Sequence, residues 1–491
     1  MKINELLIGL EFEEVQVGRE VEIKHIAYDS RKVKEGTLFV CQNGENFDSH
    51  NIASEAVSKG AVALIVEKDI NISNSDVVVI KVKNTRQALS RVSSNFYNDP
   101  SNSLNVIGIT GTNGKTSISY LVSEILQNNK ETVGVIGTIG MEVNNMPLNL
   151  EKTTPTTPDS LELQMILKEM QKVNVTTVAM EVTSIGLDQH RVDDCKIDIG
   201  VFTNLTEDHL DFHGTMDNYK DSKRKLFELC DVGVINIDDS AGREYVETMR
   251  ERKFVNENVK FTTYAIDREA DLRALDLSLS PSGSKFKLEY REHMYEIAIN
   301  LPGKFNVYNA LAAIGATLNS GVSMECIIEA LKTIKGAKGR FESVLSKSGF
   351  SVVVDYAHTP DALENVLTTA IEFNPKRLIT VFGCGGDRDK NKRPLMGRIS
   401  GDLSNVTIIT SDNPRTEQPL SIIKDIEEGI KTTSGLYEII EDRKEAIEKA
   451  IKIASAGDIV IVAGKGHEAY QILNDQTIHF DDMEIVRDLI S

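Results

Sequence analysis

Between Leu104 and Tyr120 the chain reads LNVIGITGTNGKTSISY, an apolar run, a glycine-bounded turn and then an amphipathic segment. A buried strand that passes through such a turn into a helix confines its surroundings to an α/β arrangement, with helices packed on a mainly parallel sheet. The turn itself, Gly111-Thr112-Asn113-Gly114-Lys115-Thr116 followed by Ser117, suits polyphosphate. Its glycines let backbone N–H groups approach phosphate oxygens, Lys115 adds a mobile positive charge and Thr116 can ligate Mg²⁺. The helix that follows points its positive end at the anion. The pattern GxxxxGK(S/T) would place glycine at position 109, where the chain has Ile109. The loop therefore departs from the usual kinase and GTPase spacing and points to another class of ATP-using protein. A ligand-free turn is the plainer alternative, and the Lys-Thr pair after the second glycine speaks against it.

At 491 residues the chain is too long for one core, and ~150 residues per domain suggests about three domains. Turn-rich NDPSNS and the glycine- and charge-rich ALKTIKGAKGR place the boundaries near Asn102 and Lys335, giving residues 1–102, 103–335 and 336–491. A formal charge of -19 argues against a general nucleic-acid binder, which needs clustered Lys and Arg. Cys41, Cys195, Cys230, Cys326 and Cys384 form no CxxC pair, so packed thiols in a reducing cytosol are expected. The start MKINELLIGLEFEEV carries acids where a signal peptide would be apolar, and no run approaches the ~18 apolar residues of a membrane span. A soluble cytoplasmic protein, monomeric and without nucleic-acid or membrane partners, is the expectation.

Short strands and helices alternate through the first hundred residues, and a β-rich stretch runs from Phe261 to Leu301. In NVYNALAAIGATLN, Val307, Leu311, Ile314 and Leu318 share one helical face. Glu181, Asn204, Asp355, the GCGGDRDK run, Asp412 and the GKGHE run each follow an apolar strand, as the phosphate loop does. Open parallel sheets bind ligands at those carboxyl ends, which suggests an active site where two domains meet. Glu181 and His209, the latter in FTNLTEDHLDFHG, make a reasonable Mg²⁺ pair, since a hard cation prefers oxygen and tolerates imidazole. The plainer alternative is a solvated acidic loop. NYKDSKRKLFEL, residues 218–229, reads as an amphipathic helix with a basic face, which makes Lys223 a surface lysine.

The runs GTNGKTS, MEVTS, FTNLTEDHLDFHG with YKDSK after it, GKFNVYN, GRFE, DYAHTPDAL, FGCGGDRDKNKRPLMG, SDNPRTEQP and AGKGHE together resemble the Mur ligases, in order and along the whole chain. The resemblance implies a small N-terminal α/β domain for the uridine nucleotide, a central P-loop-like ATPase domain and a C-terminal Rossmann-like domain. It implies that Lys115 and Thr116 hold the β/γ-phosphates and a first Mg²⁺, and that Glu181 and His209 bind a second. It replaces the surface-lysine reading: Lys223 resembles the family lysine that reacts with CO₂ to give a carbamate, an anionic oxygen ligand. Asn306 and Asn309 resemble adenine-side residues, Arg340 a phosphate-contacting arginine, and Asp355 and His358 the ribose side. Ser30 in YDSR, Asn43 and Gly44 would contact the uridine diphosphate, while Thr156, Thr157, Thr183, Gln189 and Arg191 would position a muramoyl dipeptide. Thr183-Ser184-Ile185 stands where many relatives read Ser-Ser-His, so a role for that histidine is absent.

The implied reaction is ATP-dependent amide formation through an acyl phosphate, joining meso-diaminopimelate to UDP-N-acetylmuramoyl-L-alanyl-D-glutamate in peptidoglycan synthesis. Asp412-Asn413-Pro414-Arg415 matches the run of relatives that add diaminopimelate, whose second carboxylate suits a planar guanidinium. Arg388 would hold the other carboxylate, and Gly464 and Glu468 the distal ammonium. A lysine-adding or folylpolyglutamate-synthase-like ligase is the second reading, and a silent nucleotide-binding scaffold the third. Intact Lys115, Glu181, His209 and Lys223 argue against the scaffold.

Overall fold

A computed structural model describes residues 1–16, 21–44, 47–72, 76–474 and 476–490. The chain forms two compact units, Met1–Tyr264 with Ala312–Val322, and Ala265–Leu311 with Ser323–Ser491. The protein has the three-part α/β fold expected of it, with three principal sheets following one another along the sequence.

In the first unit, the N-terminal sheet runs in the order Glu14–Gln16, Val78–Lys81, Ala61–Val66, Thr37–Val40, His25–Ala27, and only the first pair is antiparallel. Its strands Thr37–Val40 and Ala61–Val66 are buried on both faces, one by Leu38, Val40, Ala63 and Ile65, the other by Phe39, Leu64 and Val66. That two-sided burial is why AVALIVEK reads as a continuous apolar run. The run EVEIKHIAYDS reads as a strand from Glu20, which lies outside the described residues; the strand observed is His25–Ala27. The strand stops at Ala27 because Asp29 accepts from the Arg31 N–H at 2.9 Å and caps a 3₁₀ turn, Ser30–Lys32. The helix Thr85–Tyr97 starts where the Asn84 side chain accepts from the N–H groups of Arg86 and Gln87, and ends at Asn98 in the left-handed conformation.

The central sheet orders its parallel strands Lys260–Ala265, Val232–Asn236, Ile199–Phe202, Asn105–Thr110, Thr177–Glu181, Val133–Ile136. The order reverses around Asn105–Thr110, so the loop after that strand opens at a topological switch point, where such sheets leave a crevice.

The second unit contains an antiparallel meander, Leu272–Ser280, Gly283–Tyr290 and His293–Ile299, which accounts for the β-rich stretch. Its six-stranded sheet runs Glu342–Leu345, Ser351–Asp355, Ile459–Ala463, Leu378–Phe382, Val406–Ile409, Leu436–Ile439, parallel except for the first pair. Cores of buried side chains line both its faces. The helix Lys304–Asn319 begins three residues before Val307, and its burial is broader than one stripe. Ala310, Ala312, Ala313 and Ala316 are as inaccessible as Val307, Leu311 and Ile314, while Leu318 is only half-buried.

Candidate functional site

Gly111 and Gly114 turn the chain between the strand Asn105–Thr110 and the helix Lys115–Asn128, with φ of +149° and +90°. A Cβ on Gly111 would lie 1.8 Å from Thr203 Oγ1, so this position excludes any side chain. Thr203 Oγ1 donates to Asn113 O at 2.6 Å and the Asn113 N–H donates to Asn204 Oδ1 at 2.9 Å, which pins the loop to the end of the neighbouring strand. Lys115 Nζ donates to Gly111 O and Thr112 O, both at 2.8 Å. The loop's shape is thus fixed by its own bonds, with the Lys115 cation held inside it.

Glu181 ends the adjacent strand in register with Ile109 and is 1% exposed. Thr116 Oγ1 donates to its Oε1 at 2.9 Å, the Thr138 N–H donates to the same oxygen at 2.8 Å, and Thr138 Oγ1 donates to Oε2 at 3.1 Å. A Cβ on Gly137 would lie 2.2 Å from Glu181 Oε1, so the carboxylate needs glycine there. Carboxylate and hydroxyl oxygens converging beside a phosphate loop fit a hard divalent cation such as Mg²⁺. His209 carries different partners: with φ +52°, it stands exposed, its Nε2 3.5 Å from Asp208 Oδ2 and its ring edge-on to Tyr219.

Lys223 is not on a basic surface. The segment read as one helix divides into Met216–Arg224 and Leu226–Leu229, and Lys223 turns inward at 1% exposure. Its ammonium lies 4.5 Å from the centre of the Tyr219 ring and donates to Gly111 O at 3.0 Å. Burial, reinforced by the charge of Lys115, pulls its amine well below the ordinary lysine range. Periodicity alone could not distinguish the inward side of so polar a helix.

The residues expected to hold a dipeptide form one network. Thr157 Oγ1 donates to Glu181 O at 3.0 Å and lies 3.0 Å from Thr183 Oγ1, while Thr156 Oγ1 lies 3.1 Å from Thr138 Oγ1. Arg191 donates to Thr157 O and to Gln189 Oε1. Lys152, which the sequence did not single out, donates to Gly137 O, Pro155 O and Thr156 O and fastens this loop. His213 Nε2 lies 3.0 Å from Ser184 Oγ. Elsewhere in this unit, Ser30 opens the 3₁₀ turn and its carbonyl accepts from Lys59, Asn43 bridges Asp48, and the Gly44 N–H donates to Phe47 O.

In the second unit, Asn306 and Asn309 are buried and joined, Asn309 Nδ2 donating to Asn306 Oδ1 at 3.1 Å. Asp355 accepts from the N–H groups of Phe341 and Ala357; burial raises its carboxyl above the usual range, opposed by the charge of Arg340. Arg340 lies over the Tyr356 ring, and the exposed His358 has its Nδ1 2.9 Å from Tyr356 O.

The Asp412–Arg415 segment follows the strand Val406–Ile409. Arg415 sits at φ +51° and its guanidinium donates to Gly386 O at 2.8 Å. A Cβ on Gly386 would meet Pro414 O at 1.9 Å, so this glycine permits the close approach of the two loops. Asn413 Nδ2 donates to Glu468 Oε2 at 2.8 Å. Gly464, at φ +117°, leaves room for Asp412 Oδ2, 2.6 Å from where its Cβ would be. Arg388 is exposed and donates to Asp387 O. The expected recognition residues other than Arg388 therefore share one network.

Four of the five cysteines are buried, and burial pushes the thiols of Cys41, Cys195, Cys230 and Cys384 up to about 12, as packed, unreactive groups require. Among the described residues no helix is long and apolar enough to cross a membrane.

These parts belong to a known class. Residues 109–317 match the Mur ligase middle domain, residues 339–466 the Mur ligase glutamate ligase domain, and residues 22–97 the Mur ligase family catalytic domain. The chain belongs to the Mur ligase family. It is 44% identical over 490 residues to the UDP-N-acetylmuramoyl-L-alanyl-D-glutamate--2,6-diaminopimelate ligase 2 of Clostridium acetobutylicum, covering 100% of both chains. It is 46% identical over 492 residues to the corresponding ligase of Alkaliphilus oremlandii, covering 100% of this chain and 99% of the relative. A solved structure of a ligase of the same description matches with a TM-score of 0.70 at 35% identity, over 95% of this chain and 94% of the other.

Proposed function

We propose that the protein joins meso-diaminopimelate to the D-glutamyl carboxylate of UDP-N-acetylmuramoyl-L-alanyl-D-glutamate, using ATP, and so forms the nucleotide-linked tripeptide of peptidoglycan synthesis in the cytoplasm. The observation that carries the choice of acceptor is the Asp412–Arg415 loop, whose guanidinium is anchored on Gly386 O and whose asparagine is bonded to Glu468. A guanidinium pairs with carboxylate in a planar, two-pronged geometry, and diaminopimelate differs from lysine by one carboxylate. Glu468 supplies the opposite charge for the amine end of the same amino acid, and Arg388 reaches the other carboxylate. The whole-length likeness to diaminopimelate ligases supports the reading. The same three domains, bounded near residues 102 and 335, are taken to serve the nucleotide sugar, ATP and the amino acid.

A carboxylate is a poor electrophile, so its oxygen first attacks the γ-phosphorus and ADP leaves. The amine nitrogen then attacks the acyl carbon, phosphate departs with the bonding pair, and the nitrogen loses a proton. The N–H groups of Gly111–Ser117 and Lys115 hold the phosphates in line and offset their charge. Asn306, Asn309, Arg340, Asp355 and His358 are assigned to the nucleoside and phosphate contacts. Thr156, Thr157, Thr183, Gln189 and Arg191 orient the dipeptide, and Ser30, Asn43 and Gly44 its uridine diphosphate. Thr116, Glu181, His209 and Lys223 as its carbamate are the residues that would hold Mg²⁺, which offsets charge on the transferring phosphoryl group. Carbamate formation joins the neutral Lys223 nitrogen to the carbon of CO₂ with release of one proton.

The test is release of ADP and phosphate by the purified protein. It should require both the nucleotide dipeptide and diaminopimelate; release with a folate and glutamate instead would favour the folylpolyglutamate-type ligase.

A further inference from the structure

Lys465 is a fully buried lysine. Its ammonium donates to Asn413 Oδ1 at 3.2 Å and to Glu468 Oε2 at 3.1 Å, and it lies 5.4 Å from the centre of the Tyr470 ring. Asn413 is held at both ends. Its Oδ1 also accepts from the Ile472 N–H at 3.0 Å, while its Nδ2 donates to the same Glu468 oxygen that Lys465 contacts. The lysine, the amide and the carboxylate thus close a three-membered ring across two strand-end loops. Gln471 Nε2 adds a bond to Asp412 O at 2.7 Å, and the Arg415 N–H donates to Ile472 O, so the backbone bearing Arg415 is tied into the same cluster.

A buried cation is costly unless paired, and a cation spent on a purely structural pair could be replaced by apolar packing. Here it has a geometric consequence. It fixes which face of the Asn413 amide points at Glu468 and holds one Glu468 oxygen in place. We infer that Lys465 is a positioning residue for amino-acid recognition, setting the orientation of Glu468 and the spacing between Glu468 and Arg415 that matches one acceptor length. The inference rests on the proposed diaminopimelate reaction.

The test is steady-state kinetics of Lys465→Met in the full-length protein, with each of the three substrates varied in turn. The apparent KM for diaminopimelate should rise by about tenfold or more, the loss expected for one charge-assisted hydrogen bond. The values for ATP and for the nucleotide dipeptide should stay within about twofold. In an Asn413→Ala background the same substitution should add much less than it does alone, because both act through Glu468. A folded variant with an unchanged KM for diaminopimelate, or with all three values rising together, would overturn the inference. If Lys465→Met does not fold, Lys465→Gln, which keeps an N–H donor without charge, is judged by the same split. A wild-type protein that releases ADP with some other acceptor strikes the functional reading and not the Lys465 geometry.

Discussion

The ammonium of Lys223 donates to the carbonyl of Gly111 at 3.0 Å, so a buried lysine from one helix touches the first glycine of the phosphate loop. This places the lysine proposed to become a carbamate directly beside the segment proposed to hold ATP. Lys223→Ala should lower the ligation rate by about a hundredfold or more, as loss of one preorganised charge-stabilising group does. Short-chain carboxylic acids should restore part of it by occupying the vacated space with an oxygen anion. Full activity in the plain variant would remove the carbamate from the mechanism.

Glu181 and Thr116 share a 2.9 Å hydrogen bond, and the same carboxylate is fixed by Thr138. Glu181→Gln keeps the shape and removes the charge. It should raise the Mg²⁺ concentration needed for half-maximal activity, with little change in the apparent KM for diaminopimelate. Titration of activity with Mg²⁺ checks this, and an unchanged requirement would exclude Glu181 as a ligand.

How much of this was legible in the sequence differs by element. The phosphate loop was, because glycine, lysine and threonine at fixed spacing carry their own mechanism. So was the order of strands and helices, since strands buried on both faces read as apolar runs. Lys223 was misread from pattern alone: its helix is too polar for periodicity to reveal an inward face, and only the family resemblance corrected that reading. Thr138, Lys152 and Lys465 were missed for another reason. Thr138 and Lys465 act through partners far away in sequence, Glu181 forty-three positions from Thr138 and Asn413 fifty-two from Lys465, while Lys152 bonds only to backbone carbonyls, and no local signal marks such polar groups.

Gly111 offers a test of the loop's packing. Gly111→Ala would place a methyl carbon 1.8 Å from Thr203 Oγ1 at a backbone angle that alanine disfavours. The substitution should cost about 1–3 kcal/mol of stability. Thermal unfolding checks this, and a Tm equal to wild type would contradict the tight fit.

The acid limb of stability has a named contributor. Two N–H groups of buried Arg393 donate to Glu417, the Asp387 N–H adds a third bond, and together they hold the Glu417 carboxyl down to about 2. Because the folded value lies below the ordinary 4.5, the unfolded chain binds the proton more readily. The stabilisation is present above 4.5 and is lost as the pH falls from there toward 2. Glu417→Gln should lower Tm at pH 7 and flatten its decline over that window; an unchanged profile would show that the pair contributes nothing.

Arg415 is the residue proposed to set the choice of acceptor. Arg415→Ala should raise the apparent KM for diaminopimelate by much more than that for ATP, since removing one partner of a charge pair costs ~2–5 kcal/mol. Equal effects on the two would remove its recognition role.

The most direct measurement is the mass of the product formed when the protein is given ATP, UDP-N-acetylmuramoyl-L-alanyl-D-glutamate and an equimolar mixture of meso-diaminopimelate and L-lysine. The expected product is a nucleotide tripeptide carrying diaminopimelate, formed with one ADP and one phosphate for each amide bond, as the proposed reaction requires. A product carrying lysine, or no nucleotide-linked product at all, would contradict it.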